Sequence, residues 1–225
     1  MTRSSTEGDS PPSAHDVATL LEDVRRGRVR VKDRTRAITL VLHGGRAEER
    51  QPNRWRDISY LRMLPFAASI ARASNGRVAP VLVHNTHGGW IAKGGSGVVQ
   101  AREVIRELVE KHELPVVVLG HSSGGWVGLR VAADPGVAGV VALAPWVGER
   151  ERTAHLRSPD VRLRVIHGDA DDVCDPERAR ALVERVAAAG ADATFELVPG
   201  GNHALLDSPR QWHGRASRAV LDLVG

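Results

Sequence analysis

Six short apolar runs, each stopped by glycine or proline, set the class of fold open to this chain. They read AITLVLHGG (37–45), VAPVLVH (78–84), PVVVLG (115–120), GVVALAP (139–145), RLRVIHGD (162–169) and ATFELVPGG (193–201). Runs of this length, rich in Val and Leu, are strands buried on both faces. Amphipathic helical stretches lie between them. Residues 98–112 place Val98, Ala101, Val104, Ile105, Leu108 and Val109 on one stripe. Asp175-Pro176-Glu177 supplies the N-cap, first-turn proline and first-turn acid of a second helix, continued by Ala179, Leu182, Val183 and Val186. Ser208-Pro209 opens a last helix in the same way, with Trp212, Ala216, Ala219 and Leu223 facing inward. Strands alternating with helices predict an α/β fold, a mostly parallel central sheet covered by helices on both faces.

Length and composition set further bounds. A chain of 225 residues fits one domain, expected over 16–225. Residues 1–15, rich in Ser, Pro and Gly, are expected to be disordered. VATLLEDV is open to either a helix or a strand reading, while RVRVK (28–32) alternates with period two and predicts a half-exposed antiparallel strand. The net charge of +4 is spread along the chain, and the one dense basic run, 25–36, has no nucleic-acid-binding motif beside it. No nucleic-acid partner is expected. One cysteine, Cys174, excludes an intrachain disulfide and reads as a small buried hydrophobe. The N-terminal residues lack the apolar core of a secretory signal. The most apolar stretch, 137–147, falls far short of the ~20 residues a membrane helix needs. A soluble, cytoplasmic protein without a membrane span is expected.

In a parallel sheet, chemistry gathers in the loops at the carboxyl ends of the strands. Gly120-His121-Ser122-Ser123-Gly124 fits G-x-S-x-G between a strand and a helix. A nucleophile held at such a tight turn brings the residues two positions before and after it into collision, so both must be glycine. Ser122 has Gly120 and Gly124 there, whereas Ser123 has His121 on one side. Ser122 is therefore the nucleophile candidate, and Ser123 offers its backbone N–H. A serine hydroxyl needs a base, and the base needs an orienting carboxylate. HGDADDVCDP (167–176) offers Asp169, Asp171, Asp172 and Asp175. It is not a calcium loop: counted from Asp169, the sixth position is Cys174 rather than Gly and the twelfth Arg180 rather than Glu. Asp175 is taken as a helix cap. His203 follows the last strand in PGGNHALLDSP (199–209) and stands third in a Ser…Asp…His order, each on a separate strand end. His155 and His213 read as surface or helix positions. His84 and His87 are spaced like a metal pair, but no third ligand accompanies them, so no metal is assigned.

With LVLHGG (40–45), GHSSGG (120–125), HGDADDVCDP and GGNH (200–203), the chain resembles the α/β-hydrolase fold superfamily over roughly 37–225. In that family an H-G-x-x-D segment supplies the acid of a catalytic triad at its fifth position, here Asp171. The resemblance thus implies Ser122 as nucleophile, His203 as base and Asp171 as acid. It implies an oxyanion hole from the amides of Gly45, with Arg46 as its neighbouring alternative, and of Ser123. Arg46, His121, Trp90 and Trp146 are assigned to the substrate pocket, Trp90 from the glycine-rich loop that borders it in the family. Trp126 is assigned to core packing on the elbow helix.

The implied activity is a serine hydrolase cleaving an ester or thioester of a small acyl substrate through an acyl-enzyme, without metal or organic cofactor. The segment from Pro145 to Arg162 holds a single helix or loop, so no large cap domain is expected over an open site. The charged GERER run (148–152) points to polar or acidic substrates. Acyl transfer or peptide cleavage by the same triad, and a non-catalytic ligand-binding protein on the same fold, are the competing readings. Retention of all three polar residues and both oxyanion segments argues against the last.

Overall fold

The computed structural model describes residues 29–45, 58–85 and 96–225. Residues 1–15, the VATLLEDV stretch, Arg46, His87 and Trp90 lie outside these described residues.

Six strands, β1 (Ala37–Leu42), β2 (Val78–Val83), β3 (Val116–His121), β4 (Val137–Leu143), β5 (Arg162–Gly168) and β6 (Asp192–Val198), pair in the order β2-β1-β3-β4-β5-β6. Every pairing is parallel. The helices are α1 (Ile58–Leu61), α2 (Leu64–Ala73), α3 (Ser96–His112), α4 (Ser123–Val131), α5 (Pro176–Ala187) and α6 (Pro209–Val224). All six apolar runs are strands, and the three helices read from periodicity are present.

The side-chain alternation of the strands splits the core into two layers. Ile38, Leu40, Val116, Val118, Val140, Leu163 and Val165 face the layer that also holds Val98, Ala101 and Ile105 of α3, Val127 of α4 and Leu182 of α5. Val41, Val117, Leu119, Val141 and Ile166 face the opposite layer, with Phe66 and Ile70 of α2 and Trp212, Ala216 and Leu223 of α6. β1 and β3 are fully buried along their length, which is why their sequences are continuous apolar runs rather than alternating ones. Asp175 caps α5, its side chain accepting from the Glu177 amide at 2.9 Å. Ser208 stands at the same place on α6 but makes no side-chain cap.

Residues 29–32 form no strand; 33 and 34 make a turn leading into β1. In the described part of RVRVK, Arg30 and Lys32 alternate with a half-buried Val29 and an exposed Val31, and among the described residues no strand pairs with them. Between β4 and β5 there is one short 3-10 turn, Ala154–Leu156, and no cap domain.

β1 lies between β2 and β3, so the chain direction across the sheet reverses at the β1–β3 boundary. The carboxyl ends of these two strands flank the crevice where ligands of open α/β sheets bind.

Candidate active site

The turn after β3 is built from contacts that only glycine permits. A Cβ on Gly120 would lie 2.3 Å from the Gly124 carbonyl oxygen, and one on Gly124 would lie 2.5 Å from the His43 carbonyl oxygen. With both positions bare, α4 can start immediately after β3 and pack against the end of β1. Ser122 occupies the turn at φ 54°, ψ −117°, in the left-handed half of the map that L-residues rarely enter. Its amide donates to the Leu143 carbonyl, and its carbonyl accepts from the amides of Trp126 and Trp146. The backbone is thereby fixed on both sides.

His203 and Asp171 reach the same point from two other strand ends. His203 Nε2 is 3.0 Å from Ser122 Oγ, and His203 Nδ1 is 2.8 Å from Asp171 Oδ2. Because Nδ1 faces a carboxylate, it carries the proton, which leaves Nε2 to accept from the serine hydroxyl. The loops are held together by close backbone contact. A Cβ on Gly168 would lie 1.9 Å from the Gly201 carbonyl oxygen. That oxygen accepts from the Ala170 amide, and the Gly200 amide donates to Asp169. Asp169 therefore serves the turn before His203. Asp172 makes no contact with this histidine in the described geometry, whereas Asp171 does.

The Asp171 side chain is wholly buried and accepts four hydrogen bonds. Oδ1 takes the amides of Val173 and Cys174; Oδ2 takes His203 Nδ1 and His167 Nε2. Burial alone would raise its pKa, but the hydrogen bonds from His167, His203 and the two amides hold the carboxyl well below the usual range. It is ionised at any pH near neutrality. Cys174 is buried next to it, and burial together with the Asp171 charge pushes the thiol up to about 12. That thiol is inert, in keeping with the role of a small hydrophobe.

Of the residues assigned to the substrate pocket, His121 and Trp146 are among the described residues. His121 does not line open space: it is 1% exposed, and its Nε2–H donates to the His203 carbonyl at 3.0 Å. The ring supports the loop that carries His203. Burial, with the neighbouring His203 and Arg62, lowers its pKa to about 3, so it is neutral. Trp146, following β4, is 38% exposed beside the Ser122 turn. Its ring meets Trp126 edge-on at 6.2 Å. Trp126 packs on the core of its layer, donates from Nε1 to Glu151, and lies under the Arg130 guanidinium. Glu151 also pairs with Arg130, and Glu149 pairs with Arg178. Glu151 is thus committed to half-buried partners, while Glu149 stays largely exposed in a surface pair.

Gly45 lies against the elbow, its carbonyl accepting from the Ser123 hydroxyl at 3.1 Å. This bond ties the β1 turn to α4. His155 is half-buried and bonds the Leu129 carbonyl, and His213 packs edge-on against Phe66 at 4.5 Å; both do more than decorate a surface. His84 packs against Tyr60 and His43. Among the described residues, no three or more His, Cys, Asp or Glu side chains cluster as metal ligands.

His167, the first residue of the H-G-x-x-D segment, touches Asp171 but carries no role in the sequence reading above; its signal is its place in that segment, four residues before Asp171 at a strand end.

Comparison with known proteins agrees with this architecture. The chain is 30% identical over 136 residues to acyl-protein thioesterase 1 of Mycosarcoma maydis, a match covering 50% of this chain and 57% of that protein. The aligned stretch is thus little more than half of that relative. Protein ATU1826 of Agrobacterium tumefaciens shares the fold with a TM-score of 0.66 at 18% identity, covering 86% of this chain and 88% of that one. An alpha-beta serine hydrolase homologue from Coxiella burnetii superposes with a TM-score of 0.63 at 16% identity, covering 85% and 89%. The model of the alpha/beta hydrolase domain matches residues 98–224, more than half of the sequence. The chain belongs to the alpha/beta hydrolase domain family.

Proposed function

We propose that the protein is a serine hydrolase that cleaves an ester or thioester of a small acyl substrate through an acyl-enzyme on Ser122. One observation carries this reading: the unbroken hydrogen-bond chain Ser122–His203–Asp171 at the carboxyl ends of three strands. The thioester alternative draws support from the name of the Mycosarcoma maydis relative.

His203 Nε2 takes the hydroxyl proton as Ser122 Oγ attacks the acyl carbonyl. Asp171 keeps the imidazole in the Nδ1–H tautomer and stabilises the imidazolium that forms. The amides of Gly45 and Ser123 receive the oxyanion, each donor contributing about 2.7–4 kcal/mol in comparable sites. His203 then protonates the leaving alcohol or thiol. In the second half, water gives a proton to His203 while attacking the acyl group, and the acid leaves as the proton returns to Ser122. The absence of a cap between β4 and β5 supports an open approach for the acyl group.

The test is covalent labelling with a fluorophosphonate, read by mass spectrometry. Modification should fall on Ser122 and disappear in Ser122→Ala and His203→Ala. Hydrolysis of p-nitrophenyl esters of graded chain length then measures the acyl preference. Label on Ser123, or none in the parent, would overturn the proposal.

A further inference from the structure

Asp171 receives hydrogen bonds from two imidazoles on the same oxygen, and the second imidazole has no place in the scheme above. His167 is the penultimate residue of β5, its side chain completely shielded from solvent. Its Nε2 stands 3.1 Å from Asp171 Oδ2 and 3.0 Å from the Cys174 carbonyl oxygen. Both are acceptors, so Nε2 carries the proton and divides it between them. Nδ1 is buried without a protein partner. A buried polar atom left unpaired costs on the order of 1–3 kcal/mol, a cost that a leucine or phenylalanine filling this space would avoid. The imidazole is therefore unfavourable as packing alone, and its one useful group is the Nε2–H.

We propose that His167 is a positioning residue for the triad, fixing Asp171 Oδ2 and tempering its hold on His203. Oδ1 is already held by two backbone amides, so only Oδ2 depends on side chains. His167 pins that oxygen independently of His203, which must carry a charge that comes and goes. It also draws electron density from the carboxylate, so the imidazolium of His203 is stabilised less than it would be by Oδ2 alone. This inference rests on the serine-hydrolase reading above.

The groups that surround His203 make a pH profile interpretable. Asp171 faces it from the loop after β5. His121 faces it from the end of β3, neutral down to about pH 3, with Arg62 behind it. Cys174 lies next to Asp171 and its thiol, protonated to about pH 12, meets the Ser122 side chain. Asp207, on the same loop as His203, accepts from the Asn202 amide.

The experiment compares kcat/KM against pH, with a p-nitrophenyl ester, for the parent, His167→Leu, His167→Asn and His167→Gln. Gln carries an amide to the place of Nε2, while Asn reaches only the place of Nδ1. Leu and Asn should lower kcat/KM about tenfold and move the acidic limb upward by about half a pH unit, the effect of losing one hydrogen bond to a charged group. Gln should restore both. If Leu does not fold, the Asn–Gln pair alone decides. An acidic limb unmoved in Leu and Asn, or a Gln variant no better than Asn, would refute the positioning role and leave a purely structural one. Fluorophosphonate labelling of Ser122 in the parent is read separately: its failure removes the underlying reading and this inference together, while its success with an unmoved limb removes this inference alone.

Discussion

His121 should make this fold lose stability in acid by an amount that can be isolated. The imidazole is buried beneath the His203 loop and titrates at about 3 in the folded protein, against an ordinary value near 6.5 in an unfolded chain. Between these two values the unfolded chain binds a proton that the folded one refuses. The folded value is depressed, so the contribution is fully present above pH 6.5 and is lost as pH falls toward and through 3. Each unit of separation corresponds to about 1.4 kcal/mol. Going from pH 7 to pH 5 crosses about one and a half units of the window, a loss of roughly 2 kcal/mol from this residue. Other carboxylates and histidines titrate too, so the measurement is a difference. Urea unfolding of the parent and of His121→Gln at pH 7 and pH 5 separates them, because Gln keeps a donor for the His203 carbonyl and does not titrate. The parent should lose about 2 kcal/mol more than the variant, equivalent to roughly 4–8 °C in Tm for a chain of this size. Equal losses in the two proteins would mean that residue 121 is hydrated or already charged in the native state, and the reasoning would fail.

Two other substitutions probe the frame around the site. Gly168→Ala places a methyl where the Gly201 carbonyl oxygen stands, forcing apart the loops that carry Asp171 and His203. Ester hydrolysis should fall about 100-fold or more, as for misplacements near 1 Å, while circular dichroism still reports the sheet and helices; parental activity would refute the proposed coupling. Asp175→Ala removes the cap of α5 and should cost about 1 kcal/mol in urea unfolding with little change in kcat/KM, since Asp175 lies outside the hydrogen-bond chain Ser122–His203–Asp171.

Much of the architecture can be read without coordinates, and the reason is burial. β1 and β3 are screened on both faces, so composition alone distinguishes AITLVL or VVVLGH from the amphipathic stretches; β6, at the sheet edge, departs from the expected double burial, with Val198 its one fully buried residue. RVRVK misleads because alternation registers a one-sided environment, and an irregular segment with one inward valine has that as well. At the elbow, local sterics single out Ser122 over Ser123, because the constraint involves residues only two positions away. Asp171 is different. Four aspartates crowd 169–175, and local chemistry alone does not rank Asp171 above Asp169; the resemblance to the H-G-x-x-D segment does, and in the structure what separates them is the approach of Gly201 and His203 from β6, thirty residues on. The buried place of His121 is hidden from the sequence for the same reason. Proximity to Ser122 along the chain says nothing about which side of the strand its ring lies on, and strand alternation turns it inward, under the His203 carbonyl. His167 is likewise visible only once Asp171 folds back over the end of β5.

The left-handed backbone of Ser122 has a bearing on any attempt to make this protein more heat-resistant. A conformation of that kind costs an L-residue on the order of 1–3 kcal/mol, and glycine alone would occupy it at ease. Screening variants for melting temperature alone would therefore favour Ser122→Gly, offset in part by the lost hydrogen bond to His203. The hardiest member of such a library would be the one stripped of its hydroxyl. Residue 122 must be held fixed in the library, or turnover selected alongside heat tolerance.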